Sequence, residues 1–291
     1  MVITRLNSEC IKCLMNKFLK NMPTDKGEEY KLQYIQTLLR ILSEATLSDS
    51  APVVMNRIEK ALGMLQDFSK EKLFFNNLLM SKQEYIKMKI AAAKDPLRLA
   101  VNFAMLGNYI DFGALDSVSE EILHEKLDSA EKINIDDVEL MNFKTDLVKA
   151  ERLVYLTDNC GEVVLDKLLI EEIQREFPTL KIHVLVRGQQ VLNDATMEDA
   201  EQIGLTQIVS VSGNGSGIAG TVLDDISETS KAIIDSADVI IAKGQANFET
   251  LRYCGKNVYY LFLCKCKMFA DRFGVVPQTG MMLNDRRMKA E

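Results

Sequence analysis

The first half of the chain carries apolar residues at helical spacing. Tyr34, Leu38 and Leu42 recur four residues apart in a charged background, which places them on one face of a helix. The pair Asp95-Pro96 is typical of the start of another helix. No alternating run of β-branched residues interrupts this half. The pattern therefore predicts a helical domain over residues 1–150.

The pattern changes after Glu151, where short apolar runs alternate with helical segments such as Glu162–Phe177 and Met197–Ile203. Strands that alternate with helices are typical of a parallel sheet covered on both faces. We therefore predict an α/β fold with an α/β/α domain over residues 151–291. Five runs are predicted to be strands: 152–157, 181–187, 207–212, 238–242 and 257–263.

Composition narrows the range of functions. The 291 residues are 47% hydrophobic and 26% charged, with a net charge of −7. These values are typical of a globular protein and argue against nucleic acid or an anionic membrane as the main partner. No apolar run approaches the length needed to span a bilayer, and the N-terminus lacks the apolar region of a secretory signal. We expect a cytoplasmic protein whose six cysteines are reduced.

The two histidines, His124 and His183, limit the chemistry further. A zinc site with three histidine ligands is impossible, and only two residues could serve as the base of a Ser-His-Asp or Cys-His mechanism. His183 lies in a predicted strand, where a structural imidazole is expected. An enzyme with this composition would use carboxylates, amides, lysines and a metal.

Acids and amides follow the first two predicted strands. Asp158 and Asn159 come after the first, and Asp194 after the second. Because ligands bind beyond the carboxyl ends of parallel strands, these side chains are expected at one edge of the sheet. Their hard oxygen atoms suit Mg²⁺ or Mn²⁺, with water and a substrate phosphate completing the coordination. The alternative is that either aspartate merely caps the following helix.

Cationic and small residues follow the later strands. Lys243 and Lys265 could supply charge to a phosphate, and Gly244 would let the backbone approach it closely. A helix starting near Asn247 would direct its amide groups at the same anion. The alternative for Lys243 is a solvated turn residue. The glycine-rich stretch 212–220 lacks the ending of a P-loop and is interpreted as a flexible wall of the pocket.

Two cysteine positions bear on the mechanism. Cys160 replaces the second aspartate of a haloacid-dehalogenase motif, so a metal-activated water is a simpler nucleophile than a covalent aspartyl phosphate. Cys10 and Cys13 have metal-ligand spacing, but a closed zinc site needs four ligands. We expect two buried thiols one helical turn apart.

These residues together resemble the damage-control phosphatase family, long known as domain of unknown function 89. The N-terminal Cys-x-x-Cys resembles its stand-alone prokaryotic branch. Cys160 departs from the family pattern, in which alanine is commoner, and no loss of activity is expected. The matching segments are 157–162 with Asp166, 187–188 with 193–196 and 199–200, 242–249, 263–266 and 107–112.

The resemblance implies a metal-dependent phosphatase of small phosphorylated metabolites, with a helical bundle beside a Rossmann-like α/β/α domain. It implies that Asp158, Asn159 and Asp194 bind Mg²⁺, Mn²⁺, Co²⁺ or Ni²⁺, and that Asp194 also touches substrate or orients water. The helical domain would act as a lid. The residues implied to bind substrate or phosphate are Asn193, Lys243, Gly244, Gln245, Asn247, Lys265, Asn108 and Asp111.

Two other functions remain open from the sequence. One is a carboxyl methyltransferase, an activity ascribed to one branch of the family, although the acidic first loop and Arg187 at the end of the second strand do not suit an adenosine pocket. The other is a non-enzymatic sensor of a phosphometabolite or metal. The specific metabolite, the physiological metal and the oligomeric state do not follow from the sequence.

Overall fold

The computed structural model describes residues 5–64, 67–107, 124–125 and 127–288. The chain forms two compact units, Met1–Gln66 and Asp67–Met288. This division falls between residues 66 and 67, whereas the change of sequence pattern near residue 150 coincides with the start of the sheet. The helices from residue 69 onward therefore belong to the same compact unit as the sheet.

The first unit contains the helices α1 (Ser8–Lys20), α2 (Glu28–Glu44) and α3 (Ala51–Leu62). Asn7 begins α1 because its side chain accepts a hydrogen bond from the backbone N–H of Cys10 at 3.0 Å. The α2 helix buries Tyr34, Leu38 and Leu42, the apolar face that the sequence pattern predicted. Phe18 of α1 and Ile58 of α3 lie in the same core.

The α-helices that precede the sheet in the described part of the second unit include α4 (Ser69–Met80), α5 (Gln83–Ala92), α6 (Pro96–Leu106) and α7 (Asp137–Lys149). The predicted start of α6 is confirmed, since the Asp95 side chain accepts from the backbone N–H of Arg98 at 3.1 Å. Every residue of α6 from Leu99 to Leu106 is buried, so this helix lies in the core of the unit.

A six-stranded sheet follows, with the order β3-β2-β1-β4-β5-β6. The first five strands are parallel and β6 is antiparallel. The predicted strand at 207–212 begins later, because Leu205–Gln207 form a 3₁₀ turn. The strand β6 was not predicted, because its sequence has little alternation of apolar and polar residues. The strands are β1 (Arg152–Leu156), β2 (Lys181–Val186), β3 (Ser210–Gly213), β4 (Val239–Lys243), β5 (Val258–Cys264) and β6 (Thr279–Asn284).

Helices cover both faces of this sheet, which confirms the predicted α/β/α fold. Alternate strand residues enter two separate cores, Tyr155 and Val184 in one and Leu156 and Leu185 in the other. The helices that follow the strands are α8 (Glu162–Glu176), α9 (Met197–Gln202), α10 (Glu228–Asp235), α11 (Gly244–Leu251) and α12 (Lys267–Phe273). Within the described residues, no helix is both long and apolar enough to cross a bilayer.

The strand order reverses between β1 and β4. From β1 the chain adds β2 and β3 toward one edge of the sheet, and it then returns to add β4 and β5 on the other side of β1. Such a reversal opens a crevice beyond the carboxyl ends of the strands. The segments at this crevice are those after β1, β2 and β4, which carry most of the candidate residues.

Candidate active site

The loops after β1 and β2 are joined by backbone contacts. Asn159 and Asp194 form an isolated antiparallel bridge. The N–H of Ala195 donates to the carbonyl of Asp158 at 2.7 Å, and the N–H of Cys160 donates to the carbonyl of Asn193 at 2.8 Å. The structure therefore brings Asp158, Asn159, Asn193 and Asp194 together, although they come from different strands.

Arg187, the residue directly after β2, holds Asp194 in place. Its Nε donates to Asp194 Oδ2 at 2.6 Å, and its Nη2 donates to the carbonyl of Thr157 at 3.2 Å. Both side chains of the pair are buried, with 1% and 3% exposed. Burial raises the pKa of Asp194, and the Arg187 charge opposes that shift. Leu192 precedes this segment with a φ of 47°, a strained conformation of the kind found at functional sites.

The Asp158 carboxylate lies against the backbone of Gly244. A Cβ built on Gly244 would sit 1.9 Å from Asp158 Oδ2. Gly244 has a φ of +77°, which a glycine adopts without strain. The close approach expected of Gly244 is therefore an approach to the carboxylate of Asp158.

Lys243 lies at the centre of a buried cluster of charged groups. Its side chain is 0% exposed, so the alternative of a solvated turn residue is wrong. Its Nζ donates to Glu162 Oε1 at 2.6 Å, to Asp166 Oδ1 at 2.6 Å and to the carbonyl of Ala104 at 2.7 Å. Burial disfavours the charged lysine, but the two carboxylates outweigh it and raise its pKa. All three protons of the ammonium are therefore donated to protein oxygens.

Asp166 extends this cluster toward the core. Its Oδ1 also accepts from the hydroxyl of Tyr155 at 2.8 Å. Its Oδ2 is buried and has no hydrogen-bond partner in the part of the chain that the structure describes. Burial raises the pKa of Asp166 to about 7, although the charge of Lys243 opposes the shift.

The helix after β4 begins at Gly244, three residues earlier than predicted, and places the other candidates differently. Asn247 is fully buried, and its Nδ2 donates to the carbonyls of Thr157 and Lys243 at 3.1 and 2.7 Å. Gln245 accepts the backbone N–H groups of Lys265 and Cys266 through its Oε1, at 3.0 and 3.2 Å. Asn247 and Gln245 thus fasten the turns after β1, β4 and β5, and Lys265 is exposed.

Two residues of α4 that were not predicted from the sequence, Lys72 and Asn76, support the loops of the site. Asn76 accepts from the N–H of Gly161 at 2.6 Å and donates to Asp199 Oδ1 at 2.8 Å. Lys72 forms a buried ion pair with Asp199 at 2.6 Å. Asp199 in turn closes a capping box with Thr196 at the start of α9. Nothing in the sequence of α4 signals these contacts, because its Lys and Asn residues are typical of an exposed face.

Other candidate residues are placed as follows. Asn108 and Asp111 lie outside the described residues. The stretch 212–220 is held in place, since Asn214 Oδ1 accepts from the N–H groups of Gly188 and Ser216 at 2.9 Å each. These two bonds anchor Asn214, and the interpretation of the stretch as a flexible wall of the pocket stays a prediction.

The remaining cysteines and the strand histidine have structural surroundings. Cys160 is buried, and burial raises its pKa, which disfavours a reactive thiolate. Cys10 is half-buried and Cys13 is exposed on α1, so the expectation of two buried thiols is wrong. His183 Nε2 lies 2.8 Å from Ser212 Oγ between neighbouring strands, as expected of a structural imidazole.

The oxygens at this site fit a hard divalent cation. Asn159 Nδ2 donates to Asp158 Oδ2 and Glu162 Oε2, at 2.8 and 3.0 Å, while its Oδ1 accepts no hydrogen bond from the described residues. The loops that carry this amide oxygen also carry two buried carboxylates, Asp158 and Asp194, and all three residues offer hard oxygen atoms. Among the residues that the structure describes, no group of three or more His, Cys, Asp or Glu could hold a metal. The predicted ligand set requires only two carboxylates and one amide.

Comparison with known proteins places this geometry in a family. The chain matches the damage-control phosphatase ARMT1-like domain over residues 6–279. A damage-control phosphatase of Pyrococcus horikoshii is 30% identical over 281 residues, which cover 93% of this chain and 95% of the relative. A damage-control phosphatase of Archaeoglobus fulgidus is 28% identical over 285 residues, covering 93% and 96%.

A solved structure agrees with this result. The crystal structure of a DUF89 family protein from Pyrococcus horikoshii matches with a TM-score of 0.81 and 28% identity, covering 96% of this chain and 99% of that one. Sequence and fold therefore agree over nearly the whole length of the chain. The chain belongs to the damage-control phosphatase ARMT1-like domain family.

Proposed function

We propose that this protein is a metal-dependent phosphatase that hydrolyses phosphomonoesters of small metabolites. Family membership supports a phosphatase of metabolite repair. The observation that carries the finer proposal is the backbone bridge between Asn159 and Asp194, which sets the loop of Asp158 and Asn159 directly beside the loop of Asp194. Asp158, Asn159 and Asp194 would hold the cation, with Mg²⁺, Mn²⁺, Co²⁺ and Ni²⁺ as candidates.

The cation and the residues around it would have separate roles in hydrolysis. A bound divalent cation supplies positive charge to the phosphoryl oxygens and lowers the pKa of water. Asp194 would orient the attacking water with the carboxylate oxygen that does not accept from Arg187. Water attacks phosphorus, the bond between phosphorus and the leaving oxygen breaks, and phosphate and an alcohol are released.

Substrate phosphate would be held beside the first turn of α11. The backbone amides of Gly244 and Gln245 carry the partial positive charge of a helix start. Lys265 is exposed on the neighbouring turn and could reach an anion with its flexible side chain. Asn193, Asn108 and Asp111 are proposed to contact substrate on the strength of the family resemblance.

The test measures phosphate release from a panel of sugar phosphates and cofactor phosphates, with each of the four metals and with chelator. We expect metal-stimulated release, and a loss of roughly 10²-fold or more in kcat/KM in Asp158→Asn and Asp194→Asn, because metal charge supplies several kcal/mol of transition-state stabilisation. Asparagine is preferred at 194 because alanine would leave Arg187 buried and unpaired, at a cost of about 3–5 kcal/mol.

Asp235→Asn is the matched control, since this aspartate lies in an exposed ion pair with Lys256. It should retain the activity of the parent protein. Phosphate release that is unaffected by chelator, or near-parental turnover in both site variants, would contradict the proposal. Transfer of a methyl group without phosphate release would favour the alternative activity instead.

A further inference from the structure

The Asn159 amide is held between two carboxylates. Its Nδ2 donates to Asp158 Oδ2 at 2.8 Å and to Glu162 Oε2 at 3.0 Å. Chemistry dictates this orientation, because the amide oxygen would be repelled by both acceptors. The Oδ1 atom therefore lies at the other end of the planar amide group and points away from Glu162 Oε2 and Asp158 Oδ2.

Glu162 is itself held at its second oxygen. Its Oε1 accepts from Lys243 Nζ at 2.6 Å, and both side chains are 0% exposed. Lys243 is fixed at two further points, Asp166 and the carbonyl of Ala104. The backbone of Gly107 packs on the same glutamate, since a Cβ there would lie 2.6 Å from Glu162 Cγ. The carboxylate of Glu162 thus has one fixed orientation toward Asn159.

We infer that Glu162 and Lys243 are positioning residues for the metal site. Lys243 fixes Glu162, Glu162 fixes the Asn159 amide, and the amide presents Oδ1 to the cation. Lys243 then acts on Asn159 through Glu162 rather than by binding phosphate, since its three protons are already donated within the protein. The inference rests on the proposed function for the identity of the ligand as a metal.

Glu162→Gln separates this role from simple packing, because it changes one oxygen to a nitrogen at constant size. The charged Lys243 competes more strongly for the remaining oxygen of the glutamine than the neutral amide of Asn159 does. The glutamine Nε2 then faces Asn159 Nδ2, and two donors oppose each other. The Asn159 amide is expected to rotate, which turns its NH₂ group toward the metal position.

The experiment titrates Mn²⁺ into metal-free parent protein and variants without substrate, by calorimetry. In Glu162→Gln the dissociation constant should rise at least ~10-fold, the range typical of residues that orient a ligand. Tyr155→Phe is the control, since it removes a hydrogen bond from the same buried cluster, one that the Tyr155 hydroxyl donates to Asp166 rather than to Glu162. Its dissociation constant should stay within about 2-fold of the parent. Thermal unfolding of the metal-free proteins shows the loss of stability in each.

Glu162→Asp provides a second measurement if the glutamine variant does not fold. It keeps the negative charge beside Lys243 but is one methylene shorter, so it should also weaken Mn²⁺ binding. Mn²⁺ affinity equal to the parent in whichever of these variants folds would overturn the inference while leaving the proposed function intact. A loss of Mn²⁺ affinity in the Glu162 variant no larger than that in Tyr155→Phe would also overturn the inference, because general destabilisation of the cluster would then explain both losses. Absence of Mn²⁺ binding by the parent protein would instead overturn both.

Discussion

At the scale of single residues, Gly244 decides where the Asp158 carboxylate can lie. The backbone at Gly244 and the carboxylate approach so closely that no side chain fits between them. A second glycine, Gly255, has nearly the same φ, +76° against +77°, but nothing lies within 4 Å of the position that a Cβ would occupy there. The two glycines therefore separate backbone strain from the clash with Asp158.

We predict that Gly244→Ala and Gly255→Ala differ in activity. Both variants should lose about 1 kcal/mol or more of unfolding free energy, because alanine is strained at positive φ. Only Gly244→Ala should also displace Asp158 and lower kcat/KM by at least ~10-fold, as a misplaced catalytic group does. Steady-state kinetics and urea unfolding of both variants provide the check. Equal activities would show that Asp158 tolerates the displacement.

At the scale of elements, α4 joins the two loops that carry the candidate metal ligands. Asn76 contacts Gly161, three residues after Asp158, and Asp199, five residues after Asp194. A single amide on a helix thereby couples the end of β1 to the start of α9. The adjacent Asn77 is exposed on the same helix, and its side chain accepts from Gln202 at 3.1 Å.

We predict that Asn76→Leu lowers both the unfolding free energy and kcat/KM, whereas Asn77→Leu changes neither appreciably. Leucine at 76 leaves the N–H of Gly161 without its acceptor and removes the Asn76 donor from Asp199 Oδ1, at a cost of about 1–3 kcal/mol. An exposed substitution such as Asn77→Leu should change stability by no more than about 0.5 kcal/mol. Urea unfolding and phosphate release measure the two effects. A parental kcat/KM in a destabilised Asn76→Leu protein would show that α4 supports the fold alone.

Sequence reasoning succeeded for features encoded in local pattern and failed for those made by distant contacts. The strand ends were predictable because an apolar run stops at Asp158 or Lys243, and the rule for parallel sheets then gathers them at one edge. The surroundings of Lys243 could not be predicted in this way, because its partners Glu162, Asp166 and Ala104 are far from it in sequence. Asn76 carries no local signal at all, and β6 lacks the alternation that marks a strand.

At the scale of the whole molecule, the buried cluster makes folding sensitive to pH. Asp166 has a pKa of about 7 in the folded protein, raised by burial and opposed by Lys243, with Tyr155 and Glu162 also facing the carboxylate. An exposed aspartate in the unfolded chain has a pKa of about 3.9. Between these values the folded state binds more protons than the unfolded state. The unfolding free energy therefore falls as pH rises through this window.

We predict that Asp166→Asn removes this contribution. The difference in unfolding free energy between variant and parent should shift in favour of the variant as pH rises from about 4 to about 7, by no more than ~1.4 kcal/mol per pH unit. Titrating groups that do not face Asp166, including Asp194, are present in both proteins and cancel in the difference. Urea unfolding at a series of pH values measures it. A difference that does not vary with pH would contradict a raised pKa at Asp166.

The cluster around Lys243 also bears on how the chain folds during synthesis. Glu162 and Asp166 precede their cation by 81 and 77 residues. Until β4 has emerged from the ribosome, burying the two carboxylates would leave them without a counter-charge, which is costly in an apolar interior. β1 and α8 are adjacent in sequence, but completing their core early would require Glu162 and Asp166 to be protonated or to stay exposed, which disfavours early closure. We expect this core to close after β4 has entered the sheet between β1 and β5, because β4 places the Lys243 ammonium beside the two carboxylates.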